Sequence, residues 1–303
     1  MHPSCPHCSS RNDSTSGPRK ILRDGYFRRR SDGRVIQRFH CRSCERGFSH
    51  ATLSLCYRQK KRTMNHRVEK AYIEGCSLRG IARTLGLSRT TVVRKFVFLG
   101  VNAERELEEM NQNLPKVAQV QFDEQETAES TKLKPLSILM VAEKHSHRIL
   151  GFEISEIPAS GRNAEKSLKK YGRRLDRRAA GRRKLFSQLK SFIEERAVIE
   201  SDDHPHYPSE ITSAFPQATH RTHKARPARD HGFDELKKGK DPLFSINHVL
   251  AKQRARMSRL ARKSWCISKR KERLRLHLAI FAVNHNRARA RLEKHVESKR
   301  GSG

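Results

Sequence analysis

The sequence predicts an α/β fold, a mixed β-sheet with flanking helices, preceded by a small cysteine-bound unit and an all-α unit. Three observations favour this fold. Four of the seven cysteines form two close pairs near the N-terminus. Residues 65–96 follow a helical period broken by glycines, and residues 117–203 alternate strand-like with helical segments. A chain of 303 residues can hold two or three such units, one of them with a full-sized core.

The charge of the chain favours a polyanionic partner. Lysine and arginine number 65 against 32 acidic residues, which gives a formal net charge of +33. Residues 1–100 hold 22 basic and 6 acidic side chains and residues 251–303 hold 17 and 3, whereas residues 101–150 hold 6 and 9. No apolar run approaches the roughly 18 residues that span a bilayer, and no signal peptide is recognisable. We therefore expect a cytoplasmic, nucleoid-associated protein that binds nucleic acid and no membrane.

Residues 1–55 are predicted to form a zinc ribbon. Two CxxC pairs supply its ligands, namely Cys5, Cys8, Cys41 and Cys44. Four thiolates close a tetrahedral Zn²⁺ site with bonds of about 2.3 Å, and the strand-like run at 35–39 suggests a hairpin between the pairs. His7 and His40 could compete as ligands, but the paired cysteines are the simpler set. The other cysteines have no partner at ligand spacing and are expected to be small buried residues: Cys56, Cys76 and Cys266.

Residues 60–103 are predicted to form a helix-turn-helix unit. Two helical segments meet at a turn around Gly86, and Ser88 is a plausible N-cap of the second helix. Its first turns present basic and hydroxyl side chains, the types that contact bases and phosphates when a helix enters the major groove. An ordinary helical hairpin is the alternative. The candidate DNA-binding residues are Arg79, Ser88, Arg89, Thr90, Thr91, Arg94 and Lys95.

An acidic linker, 104–115, is expected to lead into a catalytic domain at 116–265. Its pattern is a strand ending in an acid, a hairpin, a helix at 182–196, and a second strand ending in an acid. The two acids are Asp123 and Asp202, and acids at adjacent strand tips suit a shared divalent cation. Residues 266–303 are expected to form a basic helical region that caps the core and touches DNA phosphates, although a solvated face fits equally well.

This order of zinc ribbon, helix-turn-helix and acid-bearing α/β domain resembles the DDE transposases of bacterial insertion sequences. Asp123-Glu124 resembles the first acidic motif of that family, and residues 201–207 resemble the second, with Asp202 as the ligand. Ile246-Asn247-His248, followed by residues 259–264, looks like the third motif. The resemblance implies an RNase H-like domain that uses Mg²⁺ or Mn²⁺ and acts on double-stranded DNA at terminal inverted repeats. Synapsis of two ends would require a homo-oligomer, with a dimer as the default.

The sequence departs from the family at the third acid. The position that should hold glutamate holds Asn247, which can coordinate a cation through its amide oxygen but brings no charge. Asp241, six residues upstream, could take its place. Two carboxylates instead of three should weaken metal binding.

Three functions are therefore open at this point. The first is a transposase whose catalytic residues are Asp123, Asp202 and Asn247. The second is a catalytically inactive, transposase-derived regulator that still binds DNA. The third is a structure-selective nuclease, which would need no inverted repeats.

Overall fold

The structure is a computed structural model that describes residues 3–9, 20–224, 241–260 and 267–300. The chain divides into two units, residues 1–66 and 67–303. Part of the third motif, residues 261–264, and Cys266 lie outside the described residues. Among the described residues, no helix combines the length and the apolar character that a bilayer crossing needs.

The first unit contains a small antiparallel sheet. Its strands are β1 (Ile21–Arg28), β2 (Val35–Cys41) and β3 (Arg46–Ser49), in the order β1-β2-β3. The rings of Phe39 and Phe48 stack with their centroids 5.3 Å apart and provide much of a very small core. The predicted hairpin between the CxxC pairs is confirmed, and β3 extends it by one strand.

Three helices follow, α1 (Met64–Ile73), α2 (Leu78–Thr84) and α3 (Arg89–Gln112). The turn before α3 passes through Gly86, whose φ of +60° is a conformation that glycine adopts without strain. Ser88 is the N-cap of α3, as predicted, because its side chain accepts a hydrogen bond from a first-turn amide.

The acidic stretch 104–112, expected as a linker, is helical and forms the second half of α3. Its glutamate, leucine and methionine residues are good helix formers, and it also pairs with the last helix, α8 (Lys271–Arg300). Two glutamates of the stretch pair with arginines of α8 at N–O distances of 2.6 Å: Glu104 with Arg275, and Glu106 with Arg287.

The second unit is built on a five-stranded mixed sheet in the order β6-β5-β4-β7-β8. The first three strands form an antiparallel meander, and the last two run parallel to β4. The predicted meander is confirmed. The strands are β4 (Val117–Ala128), β5 (Pro135–Glu143), β6 (Ile149–Glu156), β7 (Ile193–Asp202) and β8 (Thr219–His223).

Helices cover both faces of this sheet. On one face, side chains of α5 and α6 share an apolar core with β4 and β7. On the other face, α7 is fixed by a hydrogen bond from the Ile246 amide to the Gln121 side chain of β4. The short helix α4 lies in the connection between β6 and α5. The helices are α4 (Ala164–Tyr171), α5 (Arg178–Leu189), α6 (Tyr207–Ala214) and α7 (Phe244–Arg256).

Two predicted element bounds are wrong. Strand β4 continues to Ala128, so Asp123 lies within the strand and not at its tip. The helix expected at 182–196 ends at Leu189, and its last residues belong to β7, which begins at Ile193. In both cases tertiary pairing extends a strand beyond the segment that alternation in the sequence marks.

The helix α8 is part of the core, which corrects its expected role as a cap. Its residues 278–283 are almost fully buried. Asn286 bonds both backbone groups of Ile149 in β6, at 2.8 Å each. The close approach of α3 and α8 depends on Gly100, because a Cβ atom there would lie 2.6 Å from the Cβ of Leu276.

We predict that Gly100→Ala destabilises the protein by about 1–3 kcal/mol, since the added methyl group overpacks the contact between α3 and α8. The midpoint of urea denaturation measures the effect. Gly80→Ala is the matched control, because its Cβ would be 3.4 Å from the nearest atom, the Ser77 Oγ, in a helix that alanine favours. Equal midpoints for the two variants would contradict the close helix contact.

Candidate functional site

The four predicted zinc ligands converge. The ligand atoms of Cys5, Cys8, Cys41 and Cys44 all lie within 4.8 Å of one another. The Sγ–Sγ distances are 3.7 Å between Cys5 and Cys44 and 3.6 Å between Cys8 and Cys41. A tetrahedron with bonds of about 2.3 Å has ligand separations of about 3.8 Å. The cluster therefore fits a zinc ion and is too open for disulfides, whose sulfur atoms are about 2.05 Å apart.

The backbone around each CxxC pair explains this convergence. The residue after each pair, Ser9 and Glu45, has a positive φ, 59° and 56°, which turns the chain back so that both thiols of a pair face one point. Of the remaining cysteines, Cys56 is half-buried and Cys76 is exposed. The expectation that Cys76 is buried is wrong.

A pair of acids lies on neighbouring strands of the larger sheet, Asp123 within β4 and Asp202 at the end of β7. The parallel register pairs Val120 with Ile199 and Gln121 with Glu200. That is the last pair of the ladder, and Asp123 and Asp202 each lie two residues beyond it on their strands. Because side chains alternate along a strand, both acids share the face of Gln121, which is the face that α7 covers.

The acids next to this pair are already neutralised. Glu124 accepts hydrogen bonds from Arg182, at 2.6 Å, and from Ser137, at 2.5 Å. Glu200 accepts hydrogen bonds at 2.8 Å from Lys144 and from Gln121. Although burial alone would raise it, these bonds hold the pKa of Glu200 below its usual value.

Asp123 and Asp202, by contrast, form no ion pair with lysine or arginine within the described residues. Burial raises the pKa of Asp123 to about 6, and the charges of Asp202 and Glu124 act in the same direction. Burial also raises the pKa of Asp202. Its Oδ1 atom is buried and has no hydrogen-bond partner. Two carboxylates held together with an unpartnered buried oxygen suit a divalent cation, whose preferred ligands are oxygen atoms.

The side chain of Asn247, the expected third ligand, bonds Asp241. Asn247 is exposed near the start of α7, and its Nδ2 donates a hydrogen bond to the Asp241 Oδ2 at 2.8 Å. The other carboxylate oxygen of Asp241 accepts from the Leu243 amide at 2.9 Å, so Asp241 stabilises the turn directly before α7. Among the described residues, no third acid, histidine or cysteine joins Asp123 and Asp202 in a group with metal-ligand spacing.

The candidate DNA-binding residues lie on α2 and at the start of α3. Five of them are exposed: Arg79, Ser88, Arg89, Thr90 and Arg94. Ser88 and Thr91 bond to each other at 2.8 Å, so part of their hydrogen-bonding capacity serves the cap. Lys95 is only 3% exposed, because it lies on the side of α3 that faces the core, and it therefore drops out of the set of candidate DNA contacts.

Sequence reasoning missed three basic residues around the acid pair. Arg182, which lies on α5, forms ion pairs with Glu124 and Glu210, and Lys144 forms one with Glu200. The charge of Arg254, on α7, acts on Asp123 and favours its ionised form. The sequence carries one usable signal, which is that Arg254 follows Asn247 by two helical turns and so lies on the same side of α7.

Comparisons with known proteins give only remote similarity. No family model and no curated protein matches the chain. Among solved structures, a piggyBac transposase in a synaptic complex with hairpin DNA is 11% identical, with a TM-score of 0.32 over 59% of this chain and 44% of that one. The chain of a pre-cleavage Mos1 transpososome is 10% identical, with a TM-score of 0.20 over 74% of this chain and 77% of that one. At these TM-scores the similarity supports neither a fold nor a function.

We predict one zinc ion per chain, because the spacing of the four thiols matches a tetrahedral site. Elemental analysis of the purified protein measures it, and Cys41→Ala combined with Cys44→Ala should remove the metal. The control, Cys56→Ala combined with Cys76→Ala, should keep it. Wild-type protein without zinc, or zinc that survives loss of Cys41 and Cys44, would refute the site.

The raised pKa of Asp123 predicts how the stability of the protein changes with pH. An acid with a folded pKa of about 6 instead of 3.8 costs the ionised native state up to about 3 kcal/mol at pH 7. Without divalent metal, Asp123→Asn should therefore raise the Tm at pH 7 by up to roughly 6–12 °C. This advantage should shrink as the pH falls through 6, where the wild type takes up its proton, and vanish below about 4.

Added Mg²⁺ or Mn²⁺ should raise the Tm of the wild type and leave that of Asp123→Asn unchanged, because only the wild type keeps both carboxylates. Asp203→Asn serves as the control, since Asp203 is exposed beside the site and should behave as the wild type does. If metal shifts the Tm of all three proteins equally, the acids do not hold it.

Proposed function

We propose that this chain is an insertion-sequence transposase that binds DNA ends and cuts and joins DNA strands with divalent metal. The observation that carries the proposal is the acid pair. Of these four acids on β4 and β7, Glu124 and Glu200 form ion pairs with basic side chains, whereas Asp123 and Asp202 form none with lysine or arginine within the described residues. Two carboxylates repel each other unless a cation binds between them. Acids with pKa values perturbed in this way are common at functional sites.

The strand order supports the same proposal. An antiparallel meander, continued through β4 by two parallel strands, agrees with the RNase H-like domain that the sequence resemblance implies. The acid of β4 and the acid of β7 then meet on neighbouring strands, as the family's first two ligands would.

The reaction would run as two in-line displacements at phosphorus. In the first, water forms a bond to phosphorus and the bond to the 3′ oxygen breaks, which leaves a 3′-hydroxyl and a 5′-phosphate. In the second, that hydroxyl attacks a target phosphodiester and displaces another 3′ oxygen. Bound Mg²⁺ or Mn²⁺ would promote deprotonation of the attacking hydroxyl and neutralise charge on the phosphate.

The chain's own residues would prepare this site. Asp123 and Asp202 hold the cation, with Asn247 as a neutral third ligand once its amide releases Asp241. The ion pair with Arg182 would keep Glu124 from competing for the cation. In the first unit, four cysteines would hold zinc. Arg89, Thr90 and Arg94 would contact the terminal repeats, and two copies of the chain would bring two ends together in the bacterial cytoplasm.

A second candidate is a DNA-binding regulator without catalysis. The observation that favours it is the hydrogen bond between Asn247 and Asp241, which occupies both residues that could complete the metal site. The two candidates agree on DNA binding and differ on cutting.

We predict that the wild type cleaves end DNA and needs more divalent cation than a site with three carboxylates, with Mn²⁺ more effective than Mg²⁺ because its geometry is less strict. Asp123→Ala or Asp202→Ala should lower cleavage more than about 100-fold, since even outer partners of metal ligands contribute 10–100-fold. Both variants should still bind end DNA. Asp203→Ala is the matched control and should cleave as the wild type does.

Asn247→Glu decides between the candidates, because it supplies the missing charge. The transposase proposal expects this variant to cleave at lower metal concentration or faster. Absence of cleavage by the wild type and by Asn247→Glu at every Mn²⁺ concentration, on end DNA that both bind, would establish the regulator instead.

A further inference from the structure

The connection between β6 and α5, residues 157–177, carries seven basic and two acidic residues. Within it, α4 presents Lys166, Lys169 and Lys170, which are spaced i, i+3 and i+4 and are all exposed. Residues at this spacing share one side of a helix. Arg162 and Arg173 are exposed on either side of them. The result is a positive stripe, which we define as these five residues.

The positive stripe has no internal charge compensation. Among the described residues, none of its five members forms an ion pair with a carboxylate. Neighbouring basic residues differ, since Arg174 pairs with Glu156 and Arg178 with Asp176. Within α4, Glu165 lies four residues before Lys169, and cations in the last turn suit the helix dipole, so the helix tolerates these lysines while they stay open to an anion.

The stripe lies at the end of the sheet where the acid pair lies. Strand β6 ends at Glu156, which pairs with Leu136 at the start of β5, and Leu136 in turn pairs with Thr127 near the end of β4. Asp202 is the last residue of the parallel strand β7. A hydrogen bond of 2.7 Å from Ser167 to the Leu133 carbonyl anchors α4 to the β4–β5 loop at this end.

We propose that the positive stripe binds the phosphate backbone of DNA that approaches the Asp123–Asp202 site. The inference rests on the proposed function for the identity of the polyanion. Its own basis is the length of the stripe. The stripe runs from the turn before α4, at Arg162, through Lys166, Lys169 and Lys170 of the helix to Arg173 in the segment after it. At 1.5 Å per residue the helix alone is roughly 12 Å long, whereas a duplex presents a phosphate about every 3.4 Å along each strand. A single small anion cannot contact cations spread over that length.

The chemistry of the stripe also selects the kind of DNA. Lysine is a flexible point charge that suits phosphate contacts, and such contacts orient a protein on DNA without reading the sequence. The stripe therefore binds DNA of any sequence, which is what target DNA requires. Recognition of specific ends remains with the exposed residues of α2 and α3.

The experiment measures binding of a random-sequence duplex over a series of salt concentrations. The test variant combines Lys166→Ala, Lys169→Ala and Lys170→Ala, which suits a helix because alanine is the best helix former. Loss of three phosphate contacts should make the slope of the logarithm of the binding constant against the logarithm of the salt concentration less steep by about 2.7, at about 0.9 per contact. The loss of affinity should be the same on end DNA and on random DNA.

The matched control removes three exposed basic residues from the opposite end of the sheet: Lys116, Lys190 and Arg196, each changed to alanine. It should keep the wild-type salt dependence. Arg89→Ala with Arg94→Ala is the comparator and should weaken binding to end DNA more than to random DNA.

Two results overturn the inference in distinguishable ways. If the lysine variant and the control change the salt dependence equally, the stripe is an ordinary solvated surface, while the proposed function stands on the cleavage assay. If the wild-type protein binds no DNA, both the stripe and the proposed function fail. Circular dichroism of each variant verifies that α4 and the sheet are intact.

Discussion

The candidate site depends on the parallel pairing of β4 with β7. Residues 123 and 202 are 79 positions apart in the chain, and the pairing of Gln121 with Glu200 brings them to the same part of the sheet, where the charge of Asp202 acts on Asp123. The pairing forces two acids together at a cost that burial increases. Among the described residues, Arg182 and Lys144 form ion pairs with the adjacent acids, Glu124 and Glu200, whereas Asp123 feels the charge of Arg254 without an ion pair. What remains is a carboxylate pair that a divalent cation would stabilise.

Features fixed by local sequence were predictable. The two CxxC pairs predict a four-thiol cluster because each pair is a single turn, and their spacing in the structure is that of a zinc site. Ser88 could be assigned as an N-cap because its bond is made within one turn of helix. The meander of β4, β5 and β6 followed from alternation along the chain and short connections.

Features that depend on distant partners were not predictable. The acidic stretch 104–112 was expected as a linker, and its place beside α8 depends on Arg275 and Arg287, more than 170 positions away, which pair with its glutamates. The position of Asn247 in the chain suggests a metal ligand, but its side chain bonds Asp241, which also holds the turn before α7. A helix period places a residue on one side of a helix without revealing what covers that side.

The central claim is that Asp123 and Asp202 together bind a divalent cation. Replacement of Mg²⁺ by Fe²⁺ tests it most directly. With ascorbate and peroxide, bound Fe²⁺ releases hydroxyl radicals that cut the nearby backbone, and mass spectrometry locates the cuts. The account predicts cuts close to residues 123 and 202 that excess Mg²⁺ suppresses and that Asp202→Ala removes. Cuts confined to the four-cysteine ribbon, or cuts near residue 123 that persist in Asp202→Ala, would contradict it.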